Sequence, residues 1–109
     1  MVQESMEHKR LKQYVIRLNP HYIAIEEGRI GRKRIDVIFI NQEGNIRKLV
    51  ECVVTQSLTK ARDKLENIRL NSLSIEREII RIFKEKNPKA RKVIKSIEDK
   101  GIIFTEVKD

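Results

Sequence analysis

At 109 residues the chain has the length of one domain, enough to bury about two thirds of its unfolded surface around a single core. With 39% hydrophobic and 37% charged residues it is neither a disordered basic tail nor a membrane span, because no uninterrupted apolar run approaches the length a bilayer needs. The 24 Lys and Arg outnumber the 16 Asp and Glu, and the net charge of +8 points to a polyanionic partner. The opening MVQESMEHKR lacks the apolar stretch of a signal peptide, and the lone Cys52 has no disulfide partner in the chain, so a reducing cytoplasm is expected. Abundant Ile, Lys, Glu and Arg with no Trp lean towards a thermophile.

The first element is a helix from Glu4 to Leu18, where Leu11, Tyr14, Val15 and Leu18 share one face and Asn19-Pro20 ends the run. Tyr22, Ile23 and Ile25 then form a short strand before Glu26-Glu27-Gly28, and Arg29 to Arg34 reads as a mobile basic turn. Ile35–Ile40 and Arg47–Val54 are rich in β-branched residues, and Asn41-Gln42-Glu43-Gly44-Asn45 between them has hairpin chemistry. Ser57 caps a helix carrying Leu58, Ala61, Leu65 and Ile68, which Asn71-Ser72 should break. Ser74 caps a second helix with a stripe of Ile75, Ile79, Ile82 and Phe83, and Pro88 opens a third that runs to Gly101. Ile102 to Val107 closes the chain as a fourth strand. The predicted order is α-β-β-β-α-α-α-β in one domain over 1–109: an α/β fold with a central mixed sheet flanked by helices.

The second and third strands are apolar at nearly every position, so both faces of the sheet should be covered, which singles out Asp36 and Glu51. Paired through the Asn41–Asn45 turn, these carboxylates fall beside each other. Two like charges in an apolar sheet repel unless a proton or cation lies between them, and oxygen donors suit a hard cation. Cys52 has the opposite parity to Glu51 and reads as a buried hydrophobe. His8 and His21 have no partner at metal-ligand spacing, zinc is disfavoured by the single cysteine, and no phosphate-binding Gly-rich loop is present.

The run from Leu11 to Pro20, through Ile25-Glu26-Glu27-Gly28, Arg34-Ile35-Asp36-Val37 and Glu43-Gly44-Asn45 to Leu49-Val50-Glu51-Cys52-Val53, resembles the PD-(D/E)xK nuclease superfamily. It is most similar to archaeal mismatch-type endonuclease catalytic domains and their RecB-like relatives. The resemblance implies a restriction-endonuclease-like core, duplex DNA as partner, and Mg²⁺ or Mn²⁺ held by Asp36 and Glu51, with homodimers common among such proteins. It also implies a glutamate from the first helix, Glu7, with Glu4 as the fallback. Val53 stands where the family keeps a lysine, so Lys60 or Lys64 from the following helix would have to supply that charge. Arg29, Arg32, Lys33 and Arg34, with Lys64, would hold the phosphate backbone. The function expected is a Mg²⁺-dependent DNA endonuclease, and the alternative is an inactive DNA-binding or assembly module of the same fold. Glu106-Val107-Lys108 repeats E-x-K in letters only.

Overall fold

The computed structural model describes residues 4–70 and 75–108. Its elements run α1 (Met6–Leu18), β1 (Ile23–Ile30), β2 (Lys33–Ile40), β3 (Ile46–Val53), α2 (Leu58–Glu66), β4 (Glu76–Ile82), α3 (Pro88–Asp99) and β5 (Ile103–Val107). The strands form one sheet in the order β1-β2-β3-β4-β5. The first three make an antiparallel meander, and β4 and β5 join in parallel. Both parallel connections pass through a helix, and α2 and α3 lie on the same face, as a constant crossover hand requires when strand order advances in one direction.

Local chemistry sets most boundaries. Ser5 caps α1, its Oγ accepting the His8 N–H at 3.1 Å, and the Asn19 side chain closes the helix by donating to the Val15 carbonyl at 2.8 Å. Ser57 caps α2, and Asn87 caps α3 just ahead of Pro88. In the β2–β3 hairpin Asn41 accepts the Glu43 and Asn45 N–H groups, while Gly44 takes the left-handed φ of +84° that the turn needs.

Alternation along the strands divides the core. Val37, Phe39, Val50, Cys52 and Ile80 pack against Leu11 and Val15 of α1. Ile38, Leu49, Val53 and Ile79 pack against Ala61 and Leu65 of α2 and Ile97 of α3. Both sheet faces are thus covered over the middle strands.

Several expectations are corrected. The predicted second helix, with its stripe of Ile75, Ile79, Ile82 and Phe83, is β4, so the order is α-β-β-β-α-β-α-β with five strands. Consecutive Ile79 and Ile80 go to opposite faces and into different core clusters, which a strand allows and a surface helix does not. The charges between these apolar residues are matched by neighbouring strands. Glu78 takes Lys48 at 2.9 Å and Thr105 Oγ1 at 2.6 Å, and Arg81 meets Glu106 at 3.1 Å. Truncating Ile79 or Ile80 to Ala should each cost about 2–5 kcal/mol in urea unfolding, whereas a stripe carrying Ile79 but not Ile80 would make the second substitution nearly free. The basic segment is a hairpin rather than a mobile turn: Arg29 pairs with Arg34 and Ile30 with Lys33, leaving Gly31-Arg32 at the tip with Gly31 at φ +61°. Helix α2 ends at Asn67, earlier than expected. The proposed break at Asn71-Ser72 and the Ser74 cap lie outside the described residues.

Candidate active site

The last paired residues of the β2–β3 ladder at this end are Val37 and Val50, and the next position places Asp36 opposite Glu51. Here side chains take over from the backbone. The Asp36 N–H donates to Glu51 Oε2 at 2.9 Å, and the Cys52 N–H donates to Asp36 Oδ2 at 2.8 Å. The strands fork, and each acid accepts a backbone amide of the opposite strand. On the outer side, Glu26 pairs with Val37 and Gly28 with Ile35, while Glu27 between them adopts φ +52°, a strained value for a residue with a side chain. Three carboxylates, Glu27, Asp36 and Glu51, therefore succeed one another across the three antiparallel strands.

The helices bring the counter-charges. From α1, His8 sets Nε2 3.3 Å from Asp36 Oδ1 and Nδ1 2.6 Å from Glu4 Oε2. Lys12, buried although charged, places Nζ 2.6 Å from Glu4, 3.4 Å from Glu26 and 3.9 Å from Glu27. From α2, Lys64 Nζ stands 2.5 Å from Glu51 Oε1 and donates to the Arg34 carbonyl at 3.1 Å. The Lys64 ammonium is thus the charged partner of the buried Glu51 Oε1.

Burial and charge act on these groups in opposite directions. Burial, then the Asp36 charge, raises Glu51 from 4.5 to about 7 against the pull of Lys64. Asp36 is pushed up by burial too, but His8 and the Cys52 amide outweigh that and hold it below its ordinary value. The Asp36 carboxylate in turn raises His8 from 6.5 to about 9, with Glu4 adding to the effect over the cost of burial. Glu27 is raised by burial and by Asp36. Burial pushes the Cys52 thiol up, and its side chain is wholly inside the core.

Asp36 and Glu27 line a cleft of about 720 Å³ together with His8, Arg29, Arg32, Lys33, Arg34, Lys60 and Lys64, whereas Glu51, 0% exposed, lies beneath it in contact with Asp36 and Lys64. Asp36 and Glu51 are thus adjacent, and all five basic residues expected to hold a backbone lie around them. Lys60 lines the cleft without an ion pair to Glu51; Lys64 is the lysine that reaches it. Glu7 does not join the carboxylates. It is exposed in a neighbouring groove beside Val53, Thr55 and Lys84, and Glu4, one helical turn before His8, takes the inner position. His8 was given no partner by the sequence reading. Its partner Asp36 is 28 residues away in sequence, and the i, i+4 pair of Glu4 with His8 was the available local signal.

No protein-family model and no curated protein sequence matches the chain. Among solved structures, a repair endonuclease from Pyrococcus abyssi superposes at a TM-score of 0.59 and 16% identity, over 98% of this chain and 50% of that one. The structure of an EndoMS–dsDNA2 complex gives 0.56 at 13% identity, over 98% and 47%. The chain has a restriction-endonuclease-like fold. It spans about half the length of the structures it matches, and at these identities the likeness concerns the backbone. Within the restriction-endonuclease-like sheet, Val53 keeps the face of Glu51 but is 4% exposed and packed in the core, so it contributes no charge to the cleft.

The donor set suits a divalent cation. Glu27 Oε2 is buried without a hydrogen-bond partner, Glu51 Oε1 meets the Lys64 ammonium that a cation would have to displace, and Glu4, His8 and Glu27 bring one ligand atom each to within 4.8 Å of one another. Carboxylate oxygens fit Mg²⁺ or Mn²⁺, and His8, raised to about 9 between Asp36 and Glu4, offers a nitrogen only by giving up its proton.

Proposed function

We propose that the protein binds duplex DNA in the basic cleft and hydrolyses phosphodiesters there with one divalent cation, held by Asp36 and Glu51 with His8 beside them. The observation that carries this reading is the fork of β2 and β3, where Asp36, with Glu51 buried against it, opens on a cleft that six Arg and Lys residues help to line. A bound Mg²⁺ or Mn²⁺ supplies Lewis acidity towards a phosphate oxygen and makes a water more acidic. The chain supplies the rest. Arg29, Arg32, Lys33 and Arg34 on the β1–β2 hairpin hold the backbone, and Lys60 adds charge from α2. Lys64 stands in for the lysine missing at Val53, its ammonium beside Glu51 and able to offset charge growing on a phosphate. Lys12 already offsets part of the charge of Glu4, Glu26 and Glu27 on that side of the cluster, which favours one cation rather than two.

The deciding experiment is cleavage of plasmid, mismatched and branched DNA in Mg²⁺ or Mn²⁺, with Asp36→Asn and Lys64→Met beside the wild type. Both variants should lose nicking by at least 100-fold while still binding DNA. The rival, a DNA-binding module without cleavage, draws on the aliphatic Val53; binding by all three proteins with no nicking by any would establish it.

Binding itself has a separate signature. Replacing Arg32, Lys33 and Arg34 together with Ala should weaken binding to all sequences and flatten the log–log salt dependence by roughly 0.9 for each phosphate contact removed. An unchanged slope would take the hairpin out of the interface.

A further inference from the structure

Lys12 follows Leu11 on the face of α1 that packs on the sheet, and at 4% exposed it is the only buried lysine among the described residues. Side chains on a helix lean towards its N-terminus, so the long stem runs back towards Glu4, two turns earlier. There Nζ lies 2.6 Å from Glu4 Oε2, the oxygen that His8 Nδ1 also meets at 2.6 Å.

Strand β1 turns towards the same ammonium. In a regular strand Glu26 and Glu27 would project to opposite faces, and the left-handed φ of +52° at Glu27 breaks that alternation. Both carboxylates then lie near Lys12 Nζ, at 3.4 Å and 3.9 Å. The strained residue thus brings a second β1 carboxylate to one charge. A single ammonium faces three carboxylates, and Glu27 Oε2 stays buried without a hydrogen-bond partner. That is more negative charge, and more oxygen, than one ammonium satisfies, whereas a divalent cation takes several carboxylate oxygens at once. The cluster already holds a cation, and that cation is part of the chain.

We infer that Lys12 is a tethered stand-in for a second divalent cation: its ammonium fills the position that Glu4 and Glu27 would otherwise offer to a metal. It rests on the cation proposed at Asp36 and Glu51 and fixes the number bound. A tethered ammonium is present at every metal concentration and supplies charge, but it brings neither Lewis acidity nor a coordinated water.

The test is a titration of metal-free protein with Mn²⁺ at pH 8, the free ion being read by electron paramagnetic resonance. The wild type should bind one Mn²⁺ per chain, Lys12→Met and Lys12→Gln two, and Lys12→Met combined with Glu27→Gln one. In EDTA both neutral variants should melt below the wild type, because three carboxylates lose their partner, and Mn²⁺ should raise their melting temperatures further than the wild type's. One Mn²⁺ in every protein, two in the wild type, or a second ion that survives Glu27→Gln overturns the assignment and leaves the cation at Asp36 and Glu51 standing. Neutral variants that fail to fold and that Mn²⁺ does not restore overturn it as well. A wild type that binds none beside a Lys12→Met protein that binds one keeps the stand-in and removes the cation at Asp36 and Glu51. No Mn²⁺ on any of the proteins overturns both.

Discussion

In buffer free of divalent cations at pH 8, Glu51→Gln should melt higher than the wild type by about 2–3 kcal/mol, roughly 10 °C for a chain of this length. Glu51 is 0% exposed and faces the Asp36 charge, so the folded protein favours its neutral form and raises it from 4.5 to about 7. The sign follows from that direction. The folded value lies above the unfolded one, so this group's contribution is fully present below pH 4.5 and is lost as pH rises through 7. The amide keeps the acceptor for the Asp36 N–H and cannot ionise, so its advantage should appear between pH 4.5 and 7 and vanish in acid. Mg²⁺ or Mn²⁺ should close the gap, stabilising the wild type by about 2.7 kcal/mol at 100 times Kd and by about 4.1 kcal/mol at 1,000 times Kd, where the order reverses, while leaving the variant nearly unmoved. Melts that coincide at pH 8 would mean that Lys64 already cancels the repulsion.

The second large effect is expected at Val53. A lysine there would put an ammonium in the cluster formed by Leu49, Ala61, Leu65 and Ile79, where Val53 is 4% exposed. Val53→Lys should therefore lose roughly 3–5 kcal/mol in urea unfolding, with the lysine driven towards its neutral form. Lys64 already holds the charge position at Glu51, so nicking should not rise. A folded, more active Val53→Lys protein would show instead that the side chain can thread out to the cleft and that Lys64 is a poor substitute.

The parts of the molecule legible in the sequence are those determined over short separations. The two strands around Asn41–Asn45 follow from β-branched runs and one turn, but the register beside the turn, Ile40 opposite Ile46, would set Asp36 opposite Val50, and a one-residue shift between Phe39 and Ile40 that the sequence does not announce brings it opposite Glu51. Ser57 and Asn87-Pro88 announce their helices through capping chemistry. What escaped depends on how elements dock. Choosing Glu7 over Glu4 is an error in helix rotation, which an apolar stripe of Leu11, Tyr14 and Val15 does not define closely enough. The same stripe could not show that Lys12 is 4% exposed, because its cost of burial is met by Glu4 two turns earlier and by Glu26 and Glu27 from β1. The β4 segment failed differently. Ile75, Ile79 and Ile82 fit a helical period, and only Ile80, together with cross-strand partners for Glu78 and Arg81, tells a doubly buried strand from an amphipathic helix.

Where β2 and β3 part, two main-chain amides depend on acidic side chains instead of carbonyls. Those amides are therefore gauges of the acids. Protonating, substituting or drawing away either carboxylate changes the hydrogen-exchange protection of Asp36 or Cys52 on the other strand, and an amide spectrum recorded through a cation titration would follow each acid separately without any substrate present. The same arrangement means that an alanine at either acid opens the sheet as well as emptying the site. Asparagine and glutamine, which keep an oxygen for the amide, are the substitutions that separate chemistry from folding.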